Sequence, residues 1–223
     1  MAQRGEIHFR DRIVARSSQV KPCPPIAAVI LSGGASRRMG TPKALLRFHD
    51  ETFLDRLIRL FSQIAGPVIV VVGRHEAAIR SGIERASEAV FAVNPDPDRG
   101  MLSSLQIGLH ALPADMPAAM FLPVDHPHLE ASTLHALVAR AEETKAPVVV
   151  PTYSGEHGHP VLITREVIDH LLALPLEAMA SDVIHRYVSQ TAYIEVPDPA
   201  VVSDIDDPDA YAELIASHRP AAG

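Results

Sequence analysis

Short, nearly unbroken apolar runs constrain this chain more than any other feature: IAAVILS, PVIVVVG, AVFAVN, AAMFLPVD, APVVVP, HPVLIT and AYIEVP, in that order. A strand with one wet face alternates apolar and polar residues, whereas an unbroken run suits a strand covered on both faces. Amphipathic segments separate the runs. TFLDRLIRLFSQI sets Phe53, Leu54, Leu57, Ile58, Leu60, Phe61 and Ile64 at helical spacing. Further helices are predicted from His75 to Ala86, over MLSSLQIGLHAL with Ser103 or Ser104 near its start, and over ASTLHALVARAEE with Ser132 as its cap. REVIDHLLAL, ASDVIHRYVSQ and DPDAYAELIAS, the last beginning near Pro208, complete the set. Such alternation predicts an α/β fold: three layers, α/β/α, around a mostly parallel sheet. Ligands of such sheets sit beyond the carboxyl ends of the strands. That rule singles out the loops SGGASRRMGTPK, GRHE, NPDPDRG and VDHPHL.

The 223 residues suffice for one large core. Residues 1–25 carry five Lys or Arg and two acids and end in KPCPP; they are expected to be an extension, partly disordered or packed on a partner, ahead of a domain spanning 26–218. Aromatic residues are 4% with no Trp, which argues against base stacking and a nucleic-acid partner. Cys23 stands alone, so neither an intrachain disulfide nor a cysteine zinc cluster can form. No apolar run approaches the ~20 residues that cross a bilayer, and the N-terminus lacks a secretory core; a cytoplasmic protein without a membrane partner is expected.

The net charge of -7 is unevenly spread. Between residues 26 and 50, Arg37, Arg38, Lys43 and Arg47 face Asp50 alone, while Glu195 to Glu213 holds seven acids and no Lys or Arg. A basic loop can take phosphate and an acidic segment a metal; the plain alternative is a solvated acidic tail. The basic loop follows the first strand and is rich in glycine, which lets backbone N–H groups approach an anion. It is neither of two familiar phosphate loops. Gly34 and Gly40 are six apart and Lys43 comes three later, unlike G-x-x-x-x-G-K-[ST], and Gly33, Gly34 and Gly40 do not make G-x-G-x-x-G.

LSGGASRRMGTPKALL, from Leu31 to Leu46, resembles the L-x-G-G-x-S-x-R-M-G-x-x-K signature of the molybdenum cofactor nucleotidyltransferases and their sugar-nucleotidyltransferase relatives. NPDPDRGMLSSLQIGL, PVDHPHL, GHPVLI and DIDDPDAY resemble later segments of that family in the same order, and the resemblance covers roughly residues 26–215. It implies a Rossmann-like sheet of the nucleotide-diphospho-sugar transferase type. The implied reaction is Mg2+-dependent transfer of CMP or GMP from CTP or GTP to the terminal phosphate of a molybdopterin-type acceptor, with pyrophosphate leaving. A molybdenum enzyme is the implied client.

Carried onto this chain, the resemblance assigns nucleotide contacts to Leu31, Ser32, Gly33, Gly34, Ser36, Arg37, Arg38, Lys43, Asn94, Gly100, Ser103 and Ser104. Lys43, Arg38 and Asp125 become the catalytic candidates. Arg38 would neutralise pyrophosphate, and Lys43 would bridge the α-phosphate and acceptor. Asp125 and Asp206 become the metal ligands, with Asp204 close behind; oxygen ligands suit Mg2+. Asp125 could instead cap a turn, and Asp204 or Asp206 the final helix. His159 is the substrate candidate. His126, His128, His157 and His159 make two His-x-His pairs, which on a strand share a face and can hold zinc; beside prolines they are expected to be turn residues.

The branch signals conflict. Ser32-Gly33-Gly34 resembles the guanylyl branch, but Pro42 stands where that branch usually has Asp. Gly158-His159-Pro160-Val161 resembles the cytidylyl branch, but MASDVIHRY has Asp182 without the glycines usual there. A sugar phosphate or other small phosphorylated acceptor stays open, as does a non-catalytic nucleotide-binding or cofactor-delivery role.

Overall fold

The computed structural model describes residues 26–34, 38–175 and 178–218. Ser36, Arg37 and the expected extension at 1–25 lie outside the described residues. The elements run β1 (Ile26–Ser32), β2 (Arg47–Phe48), β3 (Glu51–Thr52), α1 (Phe53–Ser62), β4 (Val68–Val72), α2 (Glu76–Gly82), β5 (Val90–Val93) and α3 (Met101–His110). They continue with β6 (Ala118–Pro123), α4 (Ala131–Thr144), β7 (Val148–Tyr153), β8 (Glu156–His157), β9 (Val161–Thr164), α5 (Arg165–Leu172), α6 (Ala180–Arg186), β10 (Thr191–Glu195) and α7 (Pro208–Ser217).

The sheet order is β10-β7-β9-β6-β1-β4-β5, with β8 paired to β7. β1 lies between β4 and β6, parallel to both, and all its residues are buried. Alternate residues feed opposite faces, as a period of two demands. Ala28 and Ile30 face one core with α1 and α4, where Phe53, Leu54, Leu57, Leu134 and Leu137 pack. Ala27, Val29 and Leu31 face the other, with Leu105 and Leu109 of α3 and Val167 and Ile168 of α5. The expected three layers are present.

The exception to the parallel order is local. β9 runs antiparallel between β6 and β7, and β8 antiparallel to β7. A parallel neighbour needs a crossover of about a dozen residues or more, usually a helix. The link from β7 to β9 is too short for one, so the chain turns back.

Several predicted boundaries shift for identifiable reasons. The second helix ends at Gly82, short of Ala86, because the Asp55 carboxylate takes the Glu84 and Arg85 amides at 2.9 and 2.8 Å. Ser132 is not the cap of α4: the helix starts at Ala131 after Glu130, and the Ser132 hydroxyl donates to the Glu130 carboxylate. ASDVIHRYVSQ holds a helix only to Arg186, followed by a tight turn at Val188–Gln190. The final helix does begin at Pro208, and its cap is Asp207, whose carboxylate accepts from the Asp209 and Ala210 amides. Asp204 and Asp206 are therefore not spent on capping.

Candidate functional site

Beyond the carboxyl ends of β1 and β6, the chain encloses a cavity of about 390 Å3. Its floor comes from the end of β1: Leu31, Ser32, Gly33 and Gly34. Gly100 and Ser104 line one wall, and Arg38, Lys43, Asp125 and Asp206 gather at another. Ten of the residues predicted for the site thus share one cavity. Gly100 holds a positive φ of +94° where the chain enters α3, a conformation that glycine adopts without strain.

Asn94 and Ser103 stand behind this wall. Both are buried, and the Asn94 side-chain amide donates to the hydroxyls of Ser103 and Ser104 at 3.0 and 2.9 Å. Ser103 in turn donates to the Gly100 carbonyl at 2.9 Å. Asn94 and Ser103 hold the wall in place; Ser104 presents a hydroxyl to the cavity. Sequence reasoning missed Pro42, Pro97, Met101, Pro123 and Val124 as lining residues. Met101 lines the cavity with about half of its surface exposed; nothing in its local sequence pattern marks it as part of the site.

The charged wall is tightly connected. Lys43 opens a short helical turn after Pro42, and its ammonium donates to Asp125 Oδ2 at 2.7 Å and to Asp206 Oδ1 at 2.5 Å. Arg38 donates to Asp206 Oδ2 at 2.9 Å from an exposed position. Burial alone would lower the Lys43 pKa, but the hydrogen bonds to Asp125 and Asp206 and their charges outweigh it, and the net shift is upward. The Lys43 hydrogen bond, aided by Arg38, holds the Asp206 carboxyl below the usual range despite partial burial. Lys43 therefore stays charged and Asp206 stays ionised through neutral pH.

Asp204 joins this group: one oxygen from each of Asp125, Asp204 and Asp206 lies within 4.8 Å of the others. Asp125 Oδ1 is buried with no hydrogen-bond partner among the described residues. A carboxylate oxygen without a hydrogen bond, 3.9 Å from His126 Nε2, and an ammonium spanning two carboxylates both mark a place for positive charge. Three carboxylates with open space beside them suit a small hard divalent cation, which keeps some waters.

The histidines divide. Residues 126–128 form a turn rather than a strand, so His126 and His128 do not share a face. His126 Nδ1 donates to the Ala200 carbonyl at 2.9 Å, and its ring lies 5.4 Å from that of His159. His128 faces His218 at 6.0 Å, and His157 stacks on Tyr193 at 4.5 Å. His159, the substrate candidate, does not line the cavity. Burial, reinforced by repulsion from His126 and opposed by Asp125, lowers its pKa to about 4. A Cβ on Gly158 would collide with the Val201 carbonyl, and the His159 amide donates to that carbonyl at 2.8 Å. In the structure, the Gly-His-Pro-Val segment packs against the C-terminal segment.

The mixed, mostly parallel sheet shares its fold with a solved nucleotidyl transferase from Methanothermobacter, at a TM-score of 0.70 and 17% identity over 86% of this chain and 97% of that one. More narrowly, residues 28–191 match the MobA-like NTP transferase domain, and the chain belongs to that family. It is 24% identical over 187 residues to the molybdenum cofactor cytidylyltransferase of Escherichia coli K12, covering 83% of this chain and 93% of that protein. It is 28% identical over 137 residues to the "Probable molybdenum cofactor guanylyltransferase" of Mycobacterium bovis (strain BCG / Pasteur 1173P2), covering 60% of this chain and 65% of that one. The crystal structure of Rv0371c from Mycobacterium tuberculosis H37Rv in complex with manganese superposes with a TM-score of 0.71 at 22% identity, over 86% of this chain and 99% of that one. Among the described residues, no helix is long and apolar enough to cross a membrane.

Proposed function

We propose that this NTP transferase moves CMP or GMP from CTP or GTP to the terminal phosphate of a molybdopterin-type acceptor. The observation that carries this reading is the meeting of Lys43, Asp125 and Asp206 at the wall of a glycine-floored cavity. The acceptor class rests on the two molybdenum cofactor enzymes among the relatives.

An acceptor phosphate oxygen attacks the α-phosphorus; the new P–O bond forms as the bond to the β-phosphate oxygen breaks, and pyrophosphate leaves. Catalysis of such a transfer is mainly positioning and charge stabilisation. Backbone N–H groups at Gly33 and Gly34 face the triphosphate. Lys43 turns from its carboxylates to donate to the α-phosphate, and Arg38 meets the departing pyrophosphate. Ser104 supplies a neutral donor on the opposite wall. Asp125 and Asp206, with Asp204 beside them, would hold magnesium. When bound there, the ion neutralises triphosphate charge and polarises the α-phosphate. The manganese complex of the mycobacterial structure supports a divalent cation in this fold.

The packing role of Gly158 removes weight from the cytidylyl signal, while the cytidylyltransferase relative aligns over more of the chain. Pyrophosphate release with Mg2+ and molybdopterin cofactor, compared across CTP, GTP, ATP and UTP, tests the proposal. Release confined to CTP or GTP is expected and names the base. Nucleotide binding without release would exclude the molybdopterin acceptor, and no nucleotide binding at all would overturn the reading.

A further inference from the structure

The carboxylates of the candidate cation site come from two distant stretches of chain. Asp125 sits in the turn after β6; Asp204 and Asp206 sit in the segment after β10. Their relative placement depends on whatever fastens one stretch to the other. Asp198, 2% exposed, lies at the start of the second stretch. Its Oδ2 accepts from the Glu130 amide at 3.0 Å and from the Thr133 hydroxyl at 2.7 Å, both just past the Asp125 turn. Its Oδ1 accepts from the Ala200 amide at 3.0 Å. The Ala200 carbonyl then accepts from His126 Nδ1, on the neighbour of Asp125, and the Ile205 amide donates to the Asp125 carbonyl at 2.9 Å. The bonds run as a closed loop: from Asp198 through Ala200 to His126 and Asp125, on to Ile205, and back along the chain between Asp204 and Asp206.

We infer that Asp198 is a positioning residue for the divalent-cation site, locking the Asp204–Asp206 segment onto the Asp125 turn without touching the ion. The inference rests on the cation reading given above. A buried carboxylate is costly unless its oxygens are satisfied, and here three donors from two stretches satisfy it. Replacing one oxygen with an amide nitrogen leaves a donor facing donors. The two stretches then separate, and ligand oxygens that must sit within a few tenths of an ångström lose their geometry.

The test is Mn2+ affinity, read from the electron paramagnetic resonance signal of free Mn2+, on the full chain without nucleotide or acceptor. Wild type is compared with Asp125→Asn, Asp198→Asn, Thr133→Val and Asp55→Asn. Asp55 is the control for a lost buried carboxylate: it accepts from Thr52, Glu84 and Arg85, tying α1 to the loop after α2. Asp198→Asn is expected to weaken Mn2+ binding roughly 10-fold or more, the usual scale for a lost outer partner of a metal ligand. Thr133→Val, which keeps the carboxylate and its other donors, is expected to weaken binding severalfold and covers the case in which Asp198→Asn does not fold. Asp55→Asn should lower stability and leave Mn2+ affinity unchanged. In the transfer assay, the Asp198 variant should need more Mg2+ for half-maximal rate and approach wild-type kcat when Mg2+ is saturating. Unchanged Mn2+ affinity in Thr133→Val and in folded Asp198→Asn, with binding lost in Asp125→Asn, would overturn the inference and leave the cation reading intact. Equal loss in Asp55→Asn would reduce Asp198 to general stability. If wild type and Asp125→Asn bind Mn2+ alike, the cation reading fails and takes the inference with it.

Discussion

Lys43 occupies the position that a divalent cation would contest. Its ammonium spans Asp125 and Asp206, and its pKa is raised, so it competes for those oxygens at any physiological pH. Lys43→Ala should therefore have opposite effects on two readouts. Nucleotide-free Mn2+ affinity should rise, because the competing cation is gone; turnover should fall by roughly 100- to 1,000-fold, the scale for losing one donor to developing charge. Titration of Mn2+ and a pyrophosphate assay on the same preparation check both. His159 makes a second prediction at this scale. Its folded pKa is about 4 against an ordinary 6.5. Between those values the unfolded chain binds a proton that the folded chain does not, so stability is full above pH 6.5 and lost as pH falls toward 4. The stability advantage of wild type over His159→Gln should shrink by up to about 3 kcal/mol across that window, read from urea unfolding at each pH.

At the scale of elements, helices and strands end where long-range partners take their backbone groups. α2 stops at Gly82 where Asp55, on another helix, claims the Glu84 and Arg85 amides. β9 enters the sheet beside a stretch that leaves no room at Gly158. Gly158→Ala should push the Val201 carbonyl away and cost about 1–3 kcal/mol, the usual range for forcing atoms into a filled site, with the loss visible in denaturant unfolding. Mn2+ affinity should weaken in the same variant, since Val201 belongs to the segment that carries Asp204 and Asp206. The Asp207 cap is more local. Asp207→Ala should cost about 1 kcal/mol and leave Mn2+ affinity unchanged, because its carboxylate is occupied by the Asp209 and Ala210 amides.

For the whole molecule, two apolar layers on either side of one sheet make stability a shared property. Phe53 is fully buried where α1 meets the sheet. Phe53→Ala should cost about 3–5 kcal/mol and lower the unfolding midpoint seen by circular dichroism and by nucleotide protection alike. A site assembled at the edge of such a sheet takes some of its residues from strand ends and some from loops joined across long stretches of chain. The glycine floor belongs to the first kind, being the direct continuation of a buried strand. The acidic wall belongs to the second and needs fastenings such as Asp198.

The alternation of apolar runs and amphipathic segments, the glycine loop after the first run, and the isolated Asp125 at the end of another were all readable along the chain. Each is written in neighbouring residues, because strand burial, helix periodicity and turn chemistry act over a few positions. Only the folded chain decided which distant residues meet. Lys43 lies 82 positions from Asp125 and 163 from Asp206, and no local pattern encodes those pairings. Within DIDDP the three acids look alike, yet Asp207 caps a helix, Asp206 meets Lys43, and Asp204 joins the cluster. His159 could be read as a substrate contact from its motif; in the structure its ring stands 5.4 Å from that of His126, outside the residues that line the cavity. Local propensity determines what a segment becomes; the direction each side chain finally faces is set by the sheet order and by the closure of loops over long stretches of chain.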